Sequence, residues 1–411
     1  MGRLTSLETG ADYPFGFLPL QGTVTSKGGP IVAVLGRTQG SDLGGIPVVP
    51  VPKEERGSSS HSFRGSFEHR LNLLDLPPAF ELHIDALTAQ GSQVPLLTIR
   101  GERTSLASSS TWKPLLMSAL GRTGSTVISH VLHHHPEVVA FHPFSFEARA
   151  TEYWMEVLRN LARPSSHLQI VAAEYTSPDW WVGDREPPPL ALVPAPDILP
   201  FLAGSSIQRL ARFCRAQTER FYIEHRKNLG DTSRSPIAFL EKGSGNRRMM
   251  RLAREVWPRA KQFFLVRDLR DMFASMLAYN RKHDRQQFGR RNAESDLALA
   301  TQLRVAIEAF ADEWRENSRE SHLLRYEDFI RTPQESLTEL LRYLELSSDT
   351  EIVRRMIEDG LLAGRDSQAL HRTTKSAEAS IGRYAQDLTP DLIRACEESF
   401  GDLNRELGYG D

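Results

Sequence analysis

Apolar positions along the chain follow two different rhythms. Up to about residue 108 they come in short runs, at 31–35, 46–51, 80–84 and 94–99, between turn-forming stretches at 26–30, 40–42, 44–45 and 56–60. Phe80, Leu82 and Ile84 alternate with polar neighbours, which is the period of a half-buried strand. Many short strands between Gly-rich turns predict a small β-sandwich-like domain over residues 1–108. Residues 104–111 are rich in Ser and Thr and read as a linker. From Trp112 onward, strands alternate with helices, which predicts a second, α/β domain over residues 112–411 with a parallel sheet flanked by helices. Strands are expected at 114–120, 138–141, 168–173, 237–240, 262–266 and 322–326. Helices are expected at 152–161, 207–227, 248–256, 271–280, 298–317 and 333–344, with another starting at 352. Residues 177–206 combine many prolines with Trp180 and Trp181, which suits either a lid or a surface excursion. The Arg-rich residues 281–291 read as a solvated face.

The stretch 113–139, KPLLMSALGRTGSTVISHVLHHHPEVV, carries the first chemical signal. Its apolar run leads into a polar turn of Gly121, Arg122, Thr123, Gly124, Ser125 and Thr126. Val127, Ile128, Val131 and Leu132 then recur at helical spacing until His135 and Pro136 stop the helix. Strand, Gly-bearing turn and helix make an anion site, because free N–H groups at the helix start point at the ligand and the helix dipole favours negative charge. Glycines let the backbone come close. Ser125 and Thr126 add hydroxyls, and Arg122 adds a guanidinium fork. A nucleotide-type P-loop places Gly-Lys before its Ser or Thr; here Gly124 precedes Ser125 directly, so that lysine is absent. His133, His134 and His135 are consecutive and point to different helix faces, so they make no metal site, and no metal is expected.

Composition narrows the class further. The chain has 411 residues and a formal net charge of −2, which gives no reason to expect a nucleic-acid partner. Cys214 and Cys396 are too few for a disulfide framework and suit a reducing compartment. No stretch approaches a membrane span, and the first residues lack the apolar region of a signal peptide. A cytoplasmic location is therefore expected.

Further segments extend the signal. Residues 262–277 read QFFLVRDLRDMFASML, an apolar strand followed by Arg267, Asp268 and, near a helix start, Ser275. Residues 239–242 read FLEK, residues 324–328 LRYED, and residues 371–375 HRTTK with 380–384 SIGRY. With the Gly121–Arg122 turn, these segments resemble, in order, the 3′-phosphoadenosine 5′-phosphosulfate (PAPS)-dependent sulfotransferase family, nearest to its bacterial, tyrosylprotein and carbohydrate branches. Leu269 departs from the family by replacing its common Pro.

The resemblance implies a sulfotransferase fold, P-loop-like, for residues 112–411 as the catalytic domain, with PAPS as donor and no metal. By the same resemblance the 5′-phosphosulfate lies on the 121–126 loop, Arg267 and Ser275 hold the 3′-phosphate, Tyr326 lies near the nucleotide, and Thr374 and Arg383 belong to a C-terminal cover over the cofactor. Arg122 and Lys242 would balance charge on the transferring sulfuryl group. In tyrosylprotein-type relatives a catalytic Glu follows a His-Pro-(Asp/Glu)-Val segment. Counting from His135 puts His142 at that place, with Glu147 in reserve. A neutral imidazole, with an ordinary pKa of about 6.5, can accept a hydroxyl proton near neutrality. The implied partner is a small-molecule or carbohydrate acceptor bearing a hydroxyl. Residues 1–108 loosely resemble accessory β-domains of bacterial carbohydrate-active enzymes. Two alternatives remain open at this stage: a nucleotide-dependent kinase of P-loop-like fold, and a non-catalytic carbohydrate-binding protein.

Overall fold

The apolar runs that follow residue 112 pair as five parallel strands: β1 (Lys113–Ala119), β2 (Val138–Ala140), β3 (Ala238–Lys242), β4 (Lys261–Val266) and β5 (His322–Arg325). The computed structural model describes the chain except residues 1–2, 5–11, 14–16, 28, 39–40, 51–62, 142–145, 163–197, 230–235, 244–246, 363–371 and 411. The spatial order is β2-β3-β1-β4-β5. Strands β1 to β4 are buried along nearly their whole length, which is why they read as continuous apolar runs rather than as alternating ones, whereas only Leu324 of edge strand β5 is buried.

Eleven helices are described: α1 (Ser125–His133), α2 (Ala150–Leu161), α3 (Ile198–Asn228), α4 (Arg247–Val256), α5 (Leu269–His283), α6 (Asp296–Asn317), α7 (Tyr326–Arg331), α8 (Pro333–Tyr343), α9 (Thr350–Ile357), α10 (Tyr384–Asp387) and α11 (Pro390–Glu406). One core cluster joins the sheet to α1, α7, α8 and α9 through Ile128, Val131, Phe329, Leu340 and Met356. A second joins it to α5, α6 and α11 through Phe264, Phe273, Ile307 and Phe400. Central β1 is therefore flanked by β3 and β4, which the chain reaches on opposite sides. Open α/β sheets bind ligands outside the carboxyl ends of the strands at such a reversal.

The chain divides into two units, Met1–Ala107 with Trp154–Arg215, and Ser108–Tyr153 with Ala216–Asp411. The first contains two sheets. One is ordered Arg3–Leu4, Phe17–Ser26, Phe63–Asn72, Val49–Pro50; the other Asp12–Tyr13, Gln93–Arg103, Ala79–Thr88, Ile31–Thr38, Ser41–Pro47. Pairing is antiparallel except where Asp12–Tyr13 lies parallel to Glu102 and Arg103. Leu18, Val24, Phe67 and Leu71 from one sheet share a core with Ile31, Val34, Phe80, Leu82 and Ile99 from the other, as a sandwich requires. Within this unit Arg159 forks onto Asp75 at 2.6 and 3.0 Å.

Several elements depart from the sequence pattern. Phe17–Ser26 and Phe63–Asn72 are long strands that no clean alternation announces, because Pro19, Gly22, Gly65 and His69 interrupt them. Pro19 lies opposite Arg70, outside the two residues, Gly22 and Thr23, at which its strand meets Arg3–Leu4. Helix α3 starts at Ile198 rather than 207; Pro200 sits in its first turn, where a missing N–H costs nothing. Tyr326 opens helix α7 instead of ending β5. The strand expected at 168–173 and the proline-rich stretch up to residue 197 lie outside the described residues. Among the described residues no helix is long and apolar enough to cross a membrane.

Candidate active site

The turn after β1 is built for close approach. Arg122 takes a left-handed φ of 67° and Gly124 one of 98°. Gly124 stands at the N-cap of α1 with no side-chain cap, so the first N–H groups of the helix face outward unblocked. A Cβ on Gly124 would sit 2.4 Å from the Tyr326 ring, and one on Gly121 would sit 2.9 Å from Phe288. The loop thus leaves a cradle that any larger residue would fill. Thr123 turns inward, where its hydroxyl donates to the Leu120 carbonyl at 2.8 Å.

Around this loop opens a cleft of about 810 Å³, lined by Gly121, Arg122, Gly124, Ser125, Thr126, Lys242, Arg267, Ser275, Tyr326, Thr374 and Arg383. That volume falls in the roughly 300–1,000 Å³ range of small-molecule sites. Every described residue that the resemblance implies for the site lines it, apart from Thr123. His142 lies outside the described residues.

Two arginines converge. The Arg122 Nε donates to the Ser275 hydroxyl at 3.2 Å, and its guanidinium stacks 4.7 Å from the Tyr279 ring centre. Burial, helped by the charge of Arg267, brings the Arg122 guanidinium down to about 10. Arg267 leaves the end of β4 and is buried; it donates to the Arg122 carbonyl at 3.2 Å and to the Ser380 carbonyl, and its plane lies 4.9 Å from the Tyr326 ring centre. Its Nε is buried with no hydrogen-bond partner.

The C-terminal segment roofs the cleft. Asp271 on α5 accepts from the N–H groups of Gly382 at 2.7 Å and Tyr384 at 2.9 Å, and the Tyr326 and Ser380 hydroxyls meet at 3.1 Å. Arg383 donates to the Thr373 hydroxyl at 2.6 Å and pairs with Asp387 through its Nε at 2.7 Å. The Thr374 hydroxyl donates to the Ser376 carbonyl at 2.8 Å.

Lys242 and Glu147 pair within the cleft, and the Lys242 ammonium reaches the Thr126 hydroxyl at 3.4 Å. Burial holds the Lys242 pKa below the usual lysine value, against the opposing pull of Glu147. Burial would raise the Glu147 carboxyl, but Lys242 and then Arg149, which it meets at 3.1 Å, outweigh this and hold it below the usual carboxylate range.

The Arg-rich stretch after α5 is not simply a solvated face. Arg285 and Phe288 line the cleft, and Phe288 fills the space beside Gly121. The one aromatic inside that charged run was the available signal. Ser380 also lines the cleft, and the sequence pattern did not single it out as a site residue.

Fold and site together give an α/β protein whose strand–loop–helix junction has the layout of an anion site. A family model described as "Sulfotransferase family" matches residues 114–350, more than half of the chain. The protein belongs to the sulfotransferase family and is a transferase. No curated protein matches the chain. Among solved structures, the sulfotransferase domain of a Synechococcus olefin synthase is 16% identical over 73% of this chain and 95% of its own, with a TM-score of 0.37. The sulfotransferase domain of the curacin biosynthetic pathway is 13% identical over 71% and 98%, with a TM-score of 0.39. A mouse sulfotransferase complexed with PAP is 11% identical over 73% and 88%, with a TM-score of 0.38.

Proposed function

We propose that the protein transfers a sulfuryl group from PAPS to the hydroxyl of a small-molecule or carbohydrate acceptor. One observation carries the reading: Arg267, whose Nε is buried and unpartnered, lines a cleft where Arg122 already bonds Ser275. A buried donor left without an acceptor is costly, and a phosphate oxygen would satisfy it. The open cradle over Gly121 and Gly124 supports the same ligand, since a backbone that any Cβ would obstruct suits close approach of a phosphosulfate.

PAPS supplies the activated sulfuryl group on a mixed anhydride. In this reading Arg267 and Ser275 hold the 3′-phosphate, with Arg383, Tyr326 and Thr374 closing over the nucleotide. Ser125, Thr126 and the first N–H groups of α1 hold the 5′-phosphate. Arg122 and Lys242 face the oxygen on which charge grows as the sulfur–oxygen bond to phosphate breaks, a preorganised electrostatic effect. The acceptor oxygen forms the new bond to sulfur and its proton passes to a base, for which we propose His142. A second reading makes Glu147 the base, because its carboxylate lines the cleft beside Lys242. The same site gives no Gly-Lys pair for a kinase, and the convergent cations favour an enzyme over a carbohydrate-binding protein.

The test has two arms. Calorimetry with PAP should show saturable one-to-one binding. A panel of hydroxyl acceptors with radiolabelled PAPS should yield labelled sulfate ester. Protein that binds ATP but not PAP would overturn the reading.

A further inference from the structure

Glu241, immediately before Lys242 on β3, is a carboxylate that the transfer step leaves unused, and it is only 1% exposed. Three donors converge on its Oε2: the Thr151 N–H at 3.1 Å, the Thr151 hydroxyl at 2.7 Å and the Tyr222 hydroxyl at 2.6 Å. Its Oε1 is buried with no hydrogen-bond partner. Burial pushes this carboxyl above the usual range, against the pull of its donors. Thr151 is the second residue of α2, so its N–H is one of the helix-start donors that find no carbonyl inside the helix. A carboxylate there accepts that N–H and complements the helix dipole. Glu241 therefore caps α2 from a different element, and Tyr222 on α3 ties down the same oxygen.

The turn that enters α2 is also the turn that carries Glu147. Phe146 and Arg149, on either side of it, take left-handed φ values of 62° and 53°. Side-chain-bearing residues persist in that region only where their surroundings over-determine them. Glu241 grips the turn at its exit, one residue past Ala150. The next residue of β3, Lys242, whose side chain points to the opposite face of the sheet, meets Glu147 inside the cleft.

We propose that Glu241 is a positioning residue: its buried carboxylate pins the start of α2 to the end of β3 and so fixes Glu147 against Lys242 at the sulfuryl site. The assignment rests on the sulfotransfer reading of that site. It holds whether Glu147 takes the acceptor proton or serves Lys242.

The experiment is a double-mutant cycle of Glu241→Gln and Glu147→Gln, read as kcat, PAP affinity, and labelling of Lys242 by an amine reagent across pH. Gln keeps an acceptor oxygen but loses the carboxylate. Glu241→Gln should lower kcat roughly 10–100-fold, the scale of a displacement of about 1 Å at reacting groups, with PAP affinity kept within about threefold. On the Glu147→Gln background it should add less than about threefold, because both act through one pair. The Lys242 labelling profile should move as it moves in Glu147→Gln. Thr151→Val and Tyr222→Phe each remove one donor; they should give the same pattern at smaller size, and they carry the test if Glu241→Gln does not fold. A full loss repeated on the Glu147→Gln background overturns the proposal. So does a lower melting point with unchanged kcat and an unmoved Lys242 profile. Wild-type protein that binds no PAP sinks the sulfotransfer reading instead; the Lys242 labelling then decides the role of Glu241 alone, and an unmoved profile overturns it.

Discussion

Arg267 shows how a single side chain can be held ready. Two backbone carbonyls and the Tyr326 ring fix its plane, while its Nε is buried without a hydrogen-bond partner. Arg267→Ala should weaken PAP binding by about 2–4 kcal/mol, the range for one lost partner of a buried charge-assisted pair, as calorimetry would show. Unchanged affinity would put the 3′-phosphate elsewhere. The choice of base is also a question at this scale, and a pH profile tests it. The Glu147 carboxyl lies below the usual carboxylate range, so its charged form persists to lower pH than that of a free Glu. If His142 is the base, the acidic limb of kcat should follow an imidazole near about 6.5, and His142→Ala should lower turnover by roughly two to four orders of magnitude. A limb that falls only below the ordinary carboxylate range, with near-normal turnover in His142→Ala, assigns the proton to Glu147. On the alkaline side Lys242 must keep its proton. Its pKa is lowered, so the rate should fall before the ordinary lysine value is reached.

At the scale of elements, the loop between β1 and α1 was legible in the sequence because each of its needs selects a residue type. Gly124 must take a left-handed φ and leave the Tyr326 ring its space. Gly124→Ala should therefore lower stability by more than the roughly 1–2 kcal/mol of backbone strain alone, and should weaken PAP binding as Tyr326 is displaced. Thermal melts and calorimetry read the two effects separately; an Ala variant with both unchanged would mean the ring gives way freely. Parallel strands were legible for a related reason, since burial on both faces forces a continuous apolar run. What stayed hidden depends on partners distant in sequence. The role of Asp271, which holds the N–H groups of Gly382 and Tyr384, is invisible until residues over one hundred positions apart meet. The same holds for Glu241, which reads as part of a strand end until Thr151 and Tyr222 converge on it. Phe288 was masked by the charged run around it.

At the scale of the whole molecule, the Ser-rich stretch at 104–111 marks a break in rhythm, and the two units divide at Ala107 and Ser108. The first unit is nonetheless discontinuous: it takes Trp154–Arg215 as well, a membership that no periodicity could announce because it depends on side chains such as Arg159 reaching Asp75. A fragment beginning at Ser110 tests what this means. All the cleft residues lie in Ser108–Tyr153 and Ala216–Asp411, so the fragment should bind PAP with an affinity within about threefold of the full chain. It should also unfold at a lower temperature, because residues 154–215 lose the rest of their unit. In the full chain the Arg159 and Asp75 side chains are 13% and 10% exposed, so Asp75→Ala there, which leaves the Arg159 charge buried and unpaired, should cost about 3–5 kcal/mol in a thermal or denaturant melt. Adding Arg159→Met to Asp75→Ala should recover part of that loss, since it removes the unpaired charge and keeps an apolar stem. If the fragment is insoluble, or if it folds but binds no PAP, residues 1–109 complete the catalytic fold rather than accompany it.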